Sequence, residues 1–427
     1  MEERILDMTL NIRNIGKLAV ADVKLGGITV IAGENNSGKS TVGKVLFSVI
    51  NGLCYDDSQV ELDKQRELSR LLYSFCNNES MSIPSYIITP LLNELFEDEE
   101  LAGSVEYLTE WVSKSHLLKT LDEKDINDLA NEMHEIMSVP DNMVLKRFIE
   151  NKLRDEFNGQ LENMHSPDNS SKIALSNDNI TIELVIKEGE IFNNPEFASF
   201  NKEAFYIDNP FILDKRMLRP RVLRNGFLPI HRQSSNRQSH LLRCIDDSME
   251  SETNPLGDIL KEKKLSRAFE IINRVCSGSL KSAKRGSYVY SEGDASYNIG
   301  NVSTGLKTFI IIKTLIMNNC LKSGDILILD EPEIHLHPEW QIALAELIVL
   351  IQKDFNVVML INTHSLYFLR AVEVYAIKHC IEKKCKYYQC DVNAATINDV
   401  TDKIDEIYKT MAYPLQLLKN EEYANEY

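Results

Sequence analysis

A nine-residue run that begins at Gly33 has the residue types and spacing needed to hold a nucleoside triphosphate. It reads Gly-Glu-Asn-Asn-Ser-Gly-Lys-Ser-Thr and fits the pattern G-x-x-x-x-G-K-[ST]. Glycines let backbone N–H groups approach phosphate oxygens, and a helix that begins directly afterwards points its N-terminal dipole at the anion. The run lies between an apolar stretch typical of a buried strand (27–32) and one typical of a helix (41–49). It is therefore predicted to bind ATP or GTP, and we expect ATP to contact Asn35, Asn36, Ser37, Gly38, Lys39, Ser40 and Thr41.

A second apolar strand, predicted over 325–329, ends in the two carboxylates Asp330 and Glu331. In phosphoryl-transfer enzymes an aspartate at this place and the hydroxyl that follows the P-loop lysine hold Mg²⁺. We therefore expect Asp330 and Ser40 to bind Mg²⁺. Glu331 is expected to orient or deprotonate the attacking water, and Lys39 to hold phosphate charge during catalysis. The competing interpretation is a buried strand that happens to end in acids.

Two further segments have residues that can contact a phosphate. His364 follows an apolar strand predicted over 356–362, where it either contacts the γ-phosphate or serves only as a structural hydrogen-bonding group. Ser303 and Gly305 precede an apolar helix that runs to about residue 321, and a helix N-terminus is an anion site. A plain helix cap is the alternative for this segment.

Length and composition indicate an ordinary globular protein. The chain has 427 residues, of which 43% are apolar and 26% charged, and this length predicts two or three domains. No apolar run reaches about 18 residues, so we expect a cytoplasmic protein without a membrane partner. Eight cysteines are scattered along the chain, which favours reduced thiols over disulfides or a zinc cluster.

Charge is distributed unevenly along the chain. The segment Asp56–Glu162 has 24 acidic and 10 basic residues, whereas Lys215–Arg243 has eight basic residues and no acidic one. The acidic segment would repel nucleic acid, and the basic segment would attract phosphate groups. Nucleic acid is thus a possible partner for Lys215–Arg243, and a solvated surface that offsets the acidic segment is the other interpretation.

The pattern of apolar residues predicts an α/β fold with a helical insertion. Strands are predicted near the N-terminus, over a hairpin near 172–186 and over 204–207, and strand and helix alternate from about 286 to 420. The region between about 56 and 165 instead shows helical spacing. We expect a head with a mixed or parallel sheet formed by residues 1–55 and 169–427, and a helical acidic insertion over 56–168.

The order of these motifs resembles that of ABC-type ATPases of the AAA family. The P-loop, then V-S-T-G-L-K (302–307), then I-L-I-L-D-E-P-E-I-H-L-H-P (326–338) and T-H-S (363–365) are similar to SMC and RecF proteins and to OLD-like bacterial ATPases. The resemblance implies an ABC-type P-loop NTPase head that dimerises head to tail around ATP. It implies that Ser303 and Gly305 contact the ATP of the other subunit and that His364 is the switch histidine. The family's Q-loop glutamine has only Gln233 and Gln238 as candidates.

The resemblance also bears on partners. OLD-like ATPases often have a Toprim nuclease domain, but the segment after His364 has no D-x-D motif, and Asp399, Asp402 and Asp405 have the wrong spacing. The chain then resembles the ATPase subunits of anti-phage systems such as Septu, PARIS and retron-associated modules, which implies a separately encoded nuclease or toxin as protein partner. The alternative is a RecF- or SMC-like ATPase that acts on DNA in repair or chromosome maintenance.

Overall fold

A computed structural model describes residues 7–54, 57–78, 92, 95–96, 104–115, 122–164, 170–178, 181–197, 200–215, 236–250, 259, 263–283 and 287–424. The chain divides into two compact units. The head unit comprises Met1–Gly52, Ile149–Leu218 and Ser234–Tyr427, and the insertion unit comprises Leu53–Phe148 with Arg219–Gln233. In the described part of the chain, none of the helices combines the length and apolarity needed to span a membrane.

The head unit contains two β-sheets and the helices that cover them. Its strands are β1 Met8–Ile15, β2 Leu18–Leu25, β3 Ile28–Ala32, β4 Ser171–Asn177, β5 Thr181–Lys187, β6 Glu190–Ile191, β7 Ala204–Ile207, β8 Ser279–Ser282, β9 Tyr288–Glu292, β10 Ala295–Asn298, β11 Ile326–Asp330, β12 Val358–Thr363, β13 Cys385–Asp391 and β14 Thr396–Asp399. Helices are numbered along the whole chain, and the second to fourth belong to the insertion unit. The head has α1 Lys39–Leu53, α6 Arg237–Glu250, α7 Ser266–Val275, α8 Thr304–Met317, α9 Pro338–Phe355, α10 Leu366–Lys378 and α11 Asp405–Ala424. It also has the second half of α5 Asp141–Phe157, which begins in the insertion unit.

The larger sheet has eleven strands in the described residues, in the order β6-β5-β4-β1-β2-β14-β13-β3-β12-β11-β7. The five strands from β13 to β7 pair parallel with one another, whereas β14 pairs antiparallel with β13 and parallel with β2. The strands β2, β1, β4, β5 and β6 pair antiparallel with one another and form a wing on the other side. Every residue of β3 and β12 is buried, as expected for parallel strands covered on both faces, whereas β2 and β5 alternate between buried and exposed positions.

The insertion unit contains α2 Asp57–Asn78, α3 Val105–Lys114, α4 Glu123–Met137 and the start of α5. Two of these helices have a side-chain N-cap: the Ser104 hydroxyl accepts from Tyr107 N, and the Asp122 carboxylate accepts from Asp125 N. The helices bury a separate apolar core, formed by Leu68, Leu72, Cys76, Leu92, Leu95, Leu108, Val112, Leu129, Ala130 and Met133.

The predicted fold class is confirmed: the head is an α/β structure with a mixed sheet, and helices occupy the described part of the predicted insertion. The hairpin is present as β4 and β5, and the strand at 204–207 has the predicted bounds. The three-stranded sheet of β8, β9 and β10 was not predicted. The sequence also predicts a closing amphipathic helix that packs on the core through Ile404, Ile407, Tyr408, Met411, Leu415 and Leu418. The first four of these residues do pack on the core from α11, but the prediction is wrong for Leu415 and Leu418, which are 61% and 62% exposed.

Candidate functional site

The sheet register brings three of the predicted site segments to one edge. Ala32, the last residue of β3, pairs with Thr363 of β12, and Asn362 pairs with Asp330, the last residue of β11. Neighbouring strands lie about 4.8 Å apart, so the residues that follow these three strand ends are close neighbours. The P-loop, the carboxylates after β11 and His364 after β12 therefore share one edge of the sheet.

The P-loop connects β3 directly to the start of α1 at Lys39. The Lys39 side chain is buried inside the loop, where its Nζ donates hydrogen bonds to the carbonyl oxygens of Gly33 and Glu34 at 2.9 and 2.6 Å. Gly38 has φ of +97°, and an added Cβ would lie 2.6 Å from Leu18 Cδ2, so the loop requires glycine there. Glu34, Asn35 and Asn36 are exposed, which leaves one side of the loop open to a ligand.

Ser40 shares a face of α1 with Gly43, and that face packs against the strand that carries Asp330. Ser40 lies three residues before Gly43 and therefore on the same helix face. An added Cβ at Gly43 would lie 3.2 Å from the Tyr206 hydroxyl and 3.0 Å from Ile328 Cγ2, so this face of α1 packs against β7 and β11. Ser37 is buried in the loop, and Ser40 and Thr41 at its end are half-buried.

Two side chains orient the carboxylate of Asp330. The Tyr206 hydroxyl donates to Oδ2 at 2.7 Å and the Asn362 side-chain amide donates to Oδ1 at 2.9 Å. Burial, followed by the nearby Asp330 charge, raises the pKa of Tyr206 well above its ordinary value, so Tyr206 remains a donor. A carboxylate held in a fixed orientation is a hard oxygen ligand, which fits Mg²⁺.

Glu331 and His364 lie against each other. His364 Nδ1 is 3.3 Å from Glu331 Oε1 and 3.7 Å from Glu333 Oε1. Glu331 has φ of +52°, and its backbone N–H donates to the Asn362 carbonyl at 2.9 Å, which fixes this conformation. A non-glycine residue in the left-handed region costs about 1–3 kcal/mol and is concentrated at functional sites. Two of the predicted catalytic residues, Glu331 and His364, are thus adjacent, although α9 and β12 lie between them in the sequence.

Glu333 is a site residue that sequence reasoning missed. Its buried Oε1 accepts three hydrogen bonds, from the Thr363 hydroxyl at 2.5 Å and from the backbone N–H groups of His364 and Ser365 at 3.1 and 3.2 Å. Burial raises the pKa of Glu333, although these hydrogen bonds and the His364 charge oppose that shift. Glu333 therefore fixes the turn that carries His364. The sequence held one signal for this role: Glu333 is a further acidic residue only two positions after Glu331.

Arg237 extends the hydrogen-bond network behind Tyr206. Its guanidinium lies 5.0 Å from the Tyr206 ring centroid, donates to Asp208 Oδ2 at 2.6 and 2.9 Å, and pairs with the buried Glu156 carboxylate. Burial opposes its charge, but the Asp208 and Glu156 carboxylates outweigh that effect and raise the pKa of Arg237. Arg237 belongs to the basic segment Lys215–Arg243, and these internal ion pairs occupy its guanidinium.

Ser303 and Gly305 lie at the start of α8. Ser303 is the N-cap residue and is exposed, and its side chain makes no capping hydrogen bond. An added Cβ at Gly305 would lie 2.9 Å from both the His335 carbonyl oxygen and Leu336 Cδ2. The start of α8 therefore packs against the loop that follows Glu331. The buried Lys307 of the same motif pairs with Asp214 at 2.7 Å.

The two candidates for the Q-loop glutamine and the two histidines after Glu331 have structural contacts or lie outside the described residues. Gln233 lies outside the described residues, and Gln238 accepts a hydrogen bond from Lys215 Nζ. His337 caps α9 through Glu339 N, and the His335 ring packs against the ring of Phe211 at 6.0 Å.

Comparison with known proteins identifies the family. The model of the AAA ATPase domain matches residues 8–369, which is most of the chain. The chain belongs to this AAA ATPase family. No curated protein sequence matches the chain significantly.

The solved structures similar to this AAA ATPase include three SMC head domains. One is the SMC head domain from Thermotoga maritima, at 12% identity and TM-score 0.35, covering 93% of this chain and 98% of that chain. Another, SmcHead bound to the C-winged helix domain of ScpA, has 12% identity and TM-score 0.38 over 93% and 98% of the two chains. The Pyrococcus furiosus Smc head with an extended coiled coil, bound to the C-terminal domain of ScpA, has 11% identity and TM-score 0.33 over 95% and 99%.

Proposed function

We propose that this AAA ATPase hydrolyses ATP with Mg²⁺ at the shared edge of β3, β12 and β11. The observation that carries the proposal is the convergence of a P-loop, an oriented aspartate and a glutamate–histidine pair on three adjacent parallel strands. When bound, Mg²⁺ would offset charge on the β- and γ-phosphates. The loop amides and Lys39 hold the phosphates, and Ser40 and Asp330 hold the metal.

The remaining groups act on the nucleophile and on the γ-phosphate. Glu331 accepts a proton from the attacking water, because its carboxylate lies past the strand end beside His364. His364 contacts the γ-phosphate and loses that contact after hydrolysis. Glu333 holds the His364 turn in place during this exchange.

Two substitutions test the assignment. Glu331→Gln removes the base but keeps the side-chain volume, so ATP binding should persist while hydrolysis falls about 10²–10⁴-fold. Lys39→Ala should instead weaken ATP binding, measured by equilibrium dialysis. Glu188→Gln is a matched control at an exposed turn after β5 and should change neither quantity by more than about twofold. Normal turnover by Glu331→Gln would contradict the assigned base.

The same protein is proposed to act as a head-to-tail dimer with ATP between the two heads. Ser303 is exposed at a helix N-terminus and its side chain is free of the capping bond, so it is suited to contact the ATP of the second subunit. Phe211 and Ile334, near this helix, are 45% and 39% exposed and would be covered on dimerisation.

Mixing two inactive variants tests the dimer. Ser303→Arg blocks the trans contact and Lys39→Ala disables the P-loop, so an equal mixture should recover about a quarter of wild-type activity, because about half of the dimers are mixed and each mixed dimer has one intact site of its two. Full activity in a sample shown by light scattering to be monomeric would refute the shared site. Ile334→Asp should abolish ATP-dependent dimerisation while ATP binding is retained.

The biological role proposed is to scaffold or restrain a separately encoded nuclease or toxin in anti-phage defence. The motif resemblance supports this role, and so does the insertion unit, which is acidic and has a core of its own. A basic protein surface is the electrostatically favoured partner for that unit.

The structure indicates how to remove the insertion cleanly. An added Cβ at Gly52 would lie 2.4 Å from Ile149 Cγ1, so the two chain ends of the head are in contact and a short Gly-Ser linker can replace residues 54–147. This variant should keep ATPase activity and lose its partner in a pull-down from the native host. Retention of the partner would remove the insertion from the mechanism. Salt-dependent gel-shift binding would support the DNA-repair alternative instead.

A further inference from the structure

Three side chains with metal-ligating atoms meet away from the ATP site. His240 Nε2 is 3.2 Å from Glu203 Oε1 and 3.7 Å from Cys244 Sγ, and Cys244 Sγ is 3.9 Å from Glu203 Oε1. His240 and Cys244 are four residues apart on α6 and therefore share one face of the helix. Glu203 comes directly before β7, which places the carboxylate opposite that face.

The spacing of the three atoms fits one tetrahedral zinc ion. Zinc bonds are about 2.0–2.1 Å to histidine nitrogen, 2.0–2.2 Å to carboxylate oxygen and 2.3 Å to thiolate sulfur. A tetrahedral arrangement of such bonds separates the ligand atoms by about 3.4–3.6 Å. The three observed separations, 3.2, 3.7 and 3.9 Å, bracket this range. Zinc would therefore bind with shifts of a few tenths of an ångström.

The surroundings of the cluster suit a structural ion. His240 is buried and packs edge-on against the Phe47 ring, with ring centroids 5.6 Å apart. Burial first, and the Lys152 and Arg243 charges second, lower the pKa of His240 to about 3, so its imidazole is neutral. The Glu203 side chain is 39% exposed, which provides an entry path and room for water as a fourth ligand.

A cysteine–histidine–glutamate set also resembles a nucleophilic triad, but the electrostatics disfavour that interpretation. Burial, followed by the negative charge of Glu203, raises the pKa of the Cys244 thiol, whereas a nucleophilic cysteine needs a lowered pKa. A zinc ion offsets the cost of the buried thiolate charge, because the ion binds the thiolate directly and its positive charge takes the place of the proton. The proton passes to the buffer.

We propose that Glu203, His240 and Cys244 form a zinc site that clamps α6 to β7. Glu203 also joins the strand carrying the catalytic acids: its backbone N–H donates to Asp325 Oδ1 at 3.2 Å, and its carbonyl accepts from Ile326 N at 2.9 Å. The ion would thus lie at the amino end of β7 and β11, at the opposite end from Asp330. It would hold the helix whose first residue, Arg237, supports Tyr206.

The test is a Zn²⁺ titration of the full-length, chelator-treated protein against a chromophoric chelator. We expect one equivalent to bind to the wild type and to raise its melting temperature. Loss of an outer-shell partner alone weakens metal affinity about 10–100-fold, so Cys244→Ser and His240→Gln should each weaken Zn²⁺ affinity at least about 100-fold.

Matched controls separate a specific site from general effects of losing a cysteine or a histidine. Cys276→Ser changes another buried cysteine, and His379→Gln changes another buried histidine that lies 3.6 Å from a glutamate, Glu346. Both controls should bind Zn²⁺ as the wild type does. Co²⁺ should replace Zn²⁺ and give a thiolate-to-cobalt charge-transfer band that Cys244→Ser lacks.

Several results would overturn the site. They are a wild type that binds no zinc, zinc binding that persists in Cys244→Ser, and a cobalt spectrum without the thiolate band. Each would show that the three side chains form only a hydrogen-bonded cluster. The wild-type stoichiometry decides the matter even if one variant fails to fold.

Discussion

Replacing Tyr206 by Phe removes one hydroxyl from the proposed ATP site and leaves the ring in place. That hydroxyl donates to Asp330 Oδ2 at 2.7 Å, on the residue assigned to Mg²⁺. Loss of an outer-shell hydrogen bond weakens metal affinity or activity about 10–100-fold. This range equals about 1.4–2.8 kcal/mol, which agrees with about 1.5–3 kcal/mol for a hydrogen bond to a charged group.

The assay is the Mg²⁺ dependence of ATP hydrolysis at saturating ATP. We expect Tyr206→Phe to shift the half-maximal Mg²⁺ concentration upward about 10–100-fold. Binding of ATP in the absence of Mg²⁺ should be unchanged, because the P-loop is not altered.

Tyr288→Phe is a closely matched control. The Tyr288 hydroxyl is also buried and donates to an aspartate, Asp246 Oδ1, at 2.6 Å, but it lies on β9. Both variants should lose similar stability, measured by urea unfolding, and only Tyr206→Phe should change the Mg²⁺ requirement. Equal Mg²⁺ dependence in the two variants would refute the role assigned to Tyr206.

Three further predictions follow from packing and charge. Arg237→Gln leaves the Glu156 carboxylate buried without its ion-pair partner, so the free energy of unfolding should fall by about 3–5 kcal/mol in urea titrations. Gly305→Ala forces a Cβ against the loop after Glu331 and should destabilise the head by about 1–3 kcal/mol while lowering kcat. Glu333→Ala removes the carboxylate oxygen that accepts three hydrogen bonds at the His364 turn, so we expect kcat to fall about tenfold or more with little change in ATP affinity.

Each of these predictions has a control and a contradicting outcome. Arg370→Gln breaks an exposed ion pair with Glu373 and should change stability by less than about 1 kcal/mol. Gly300→Ala introduces a Cβ whose nearest neighbour is Asn298 Oδ1 at 3.3 Å, and it should be tolerated. If Arg237→Gln were as mild as Arg370→Gln, the buried ion pair would have no structural importance. If Glu333→Ala raised the Kd for ATP and left kcat unchanged, Glu333 would act in ATP binding, and its assigned role in holding the His364 turn for catalysis would be refuted.

The sequence predicted the parts of the site that are local in the chain. The P-loop, the acids after β11 and His364 each consist of an apolar strand followed by a polar turn, and such a pattern is visible within about ten residues. The proximity of these three segments then followed from the parallel pairing of β3, β12 and β11, which places their carboxyl ends at one edge of the sheet. The roles assigned to these residues remain predictions that the experiments above test.

The supporting contacts are long-range and could not be predicted. Tyr206 and Asp330 are 124 residues apart, and Arg237 and Glu156 are 81 apart. Neither tyrosine in an apolar strand nor arginine in a basic stretch indicates its partner, because tertiary packing decides which side chains meet. The His240 and Cys244 spacing was visible on a helix, but their third neighbour, Glu203, is not in that helix.

Both outer strands of the eleven-stranded sheet are short: β6 has two residues and β7 has four. Long exposed outer strands act as templates for a further chain, and short ones prevent such growth. In the described residues, neither outer strand of the sheet is therefore long enough to pair stably with a strand from another chain. Association by strand addition is disfavoured, and in the proposed dimer the contact between two copies is left to helices and loops. Contacts of that kind would form and break within each cycle of the proposed ATP turnover.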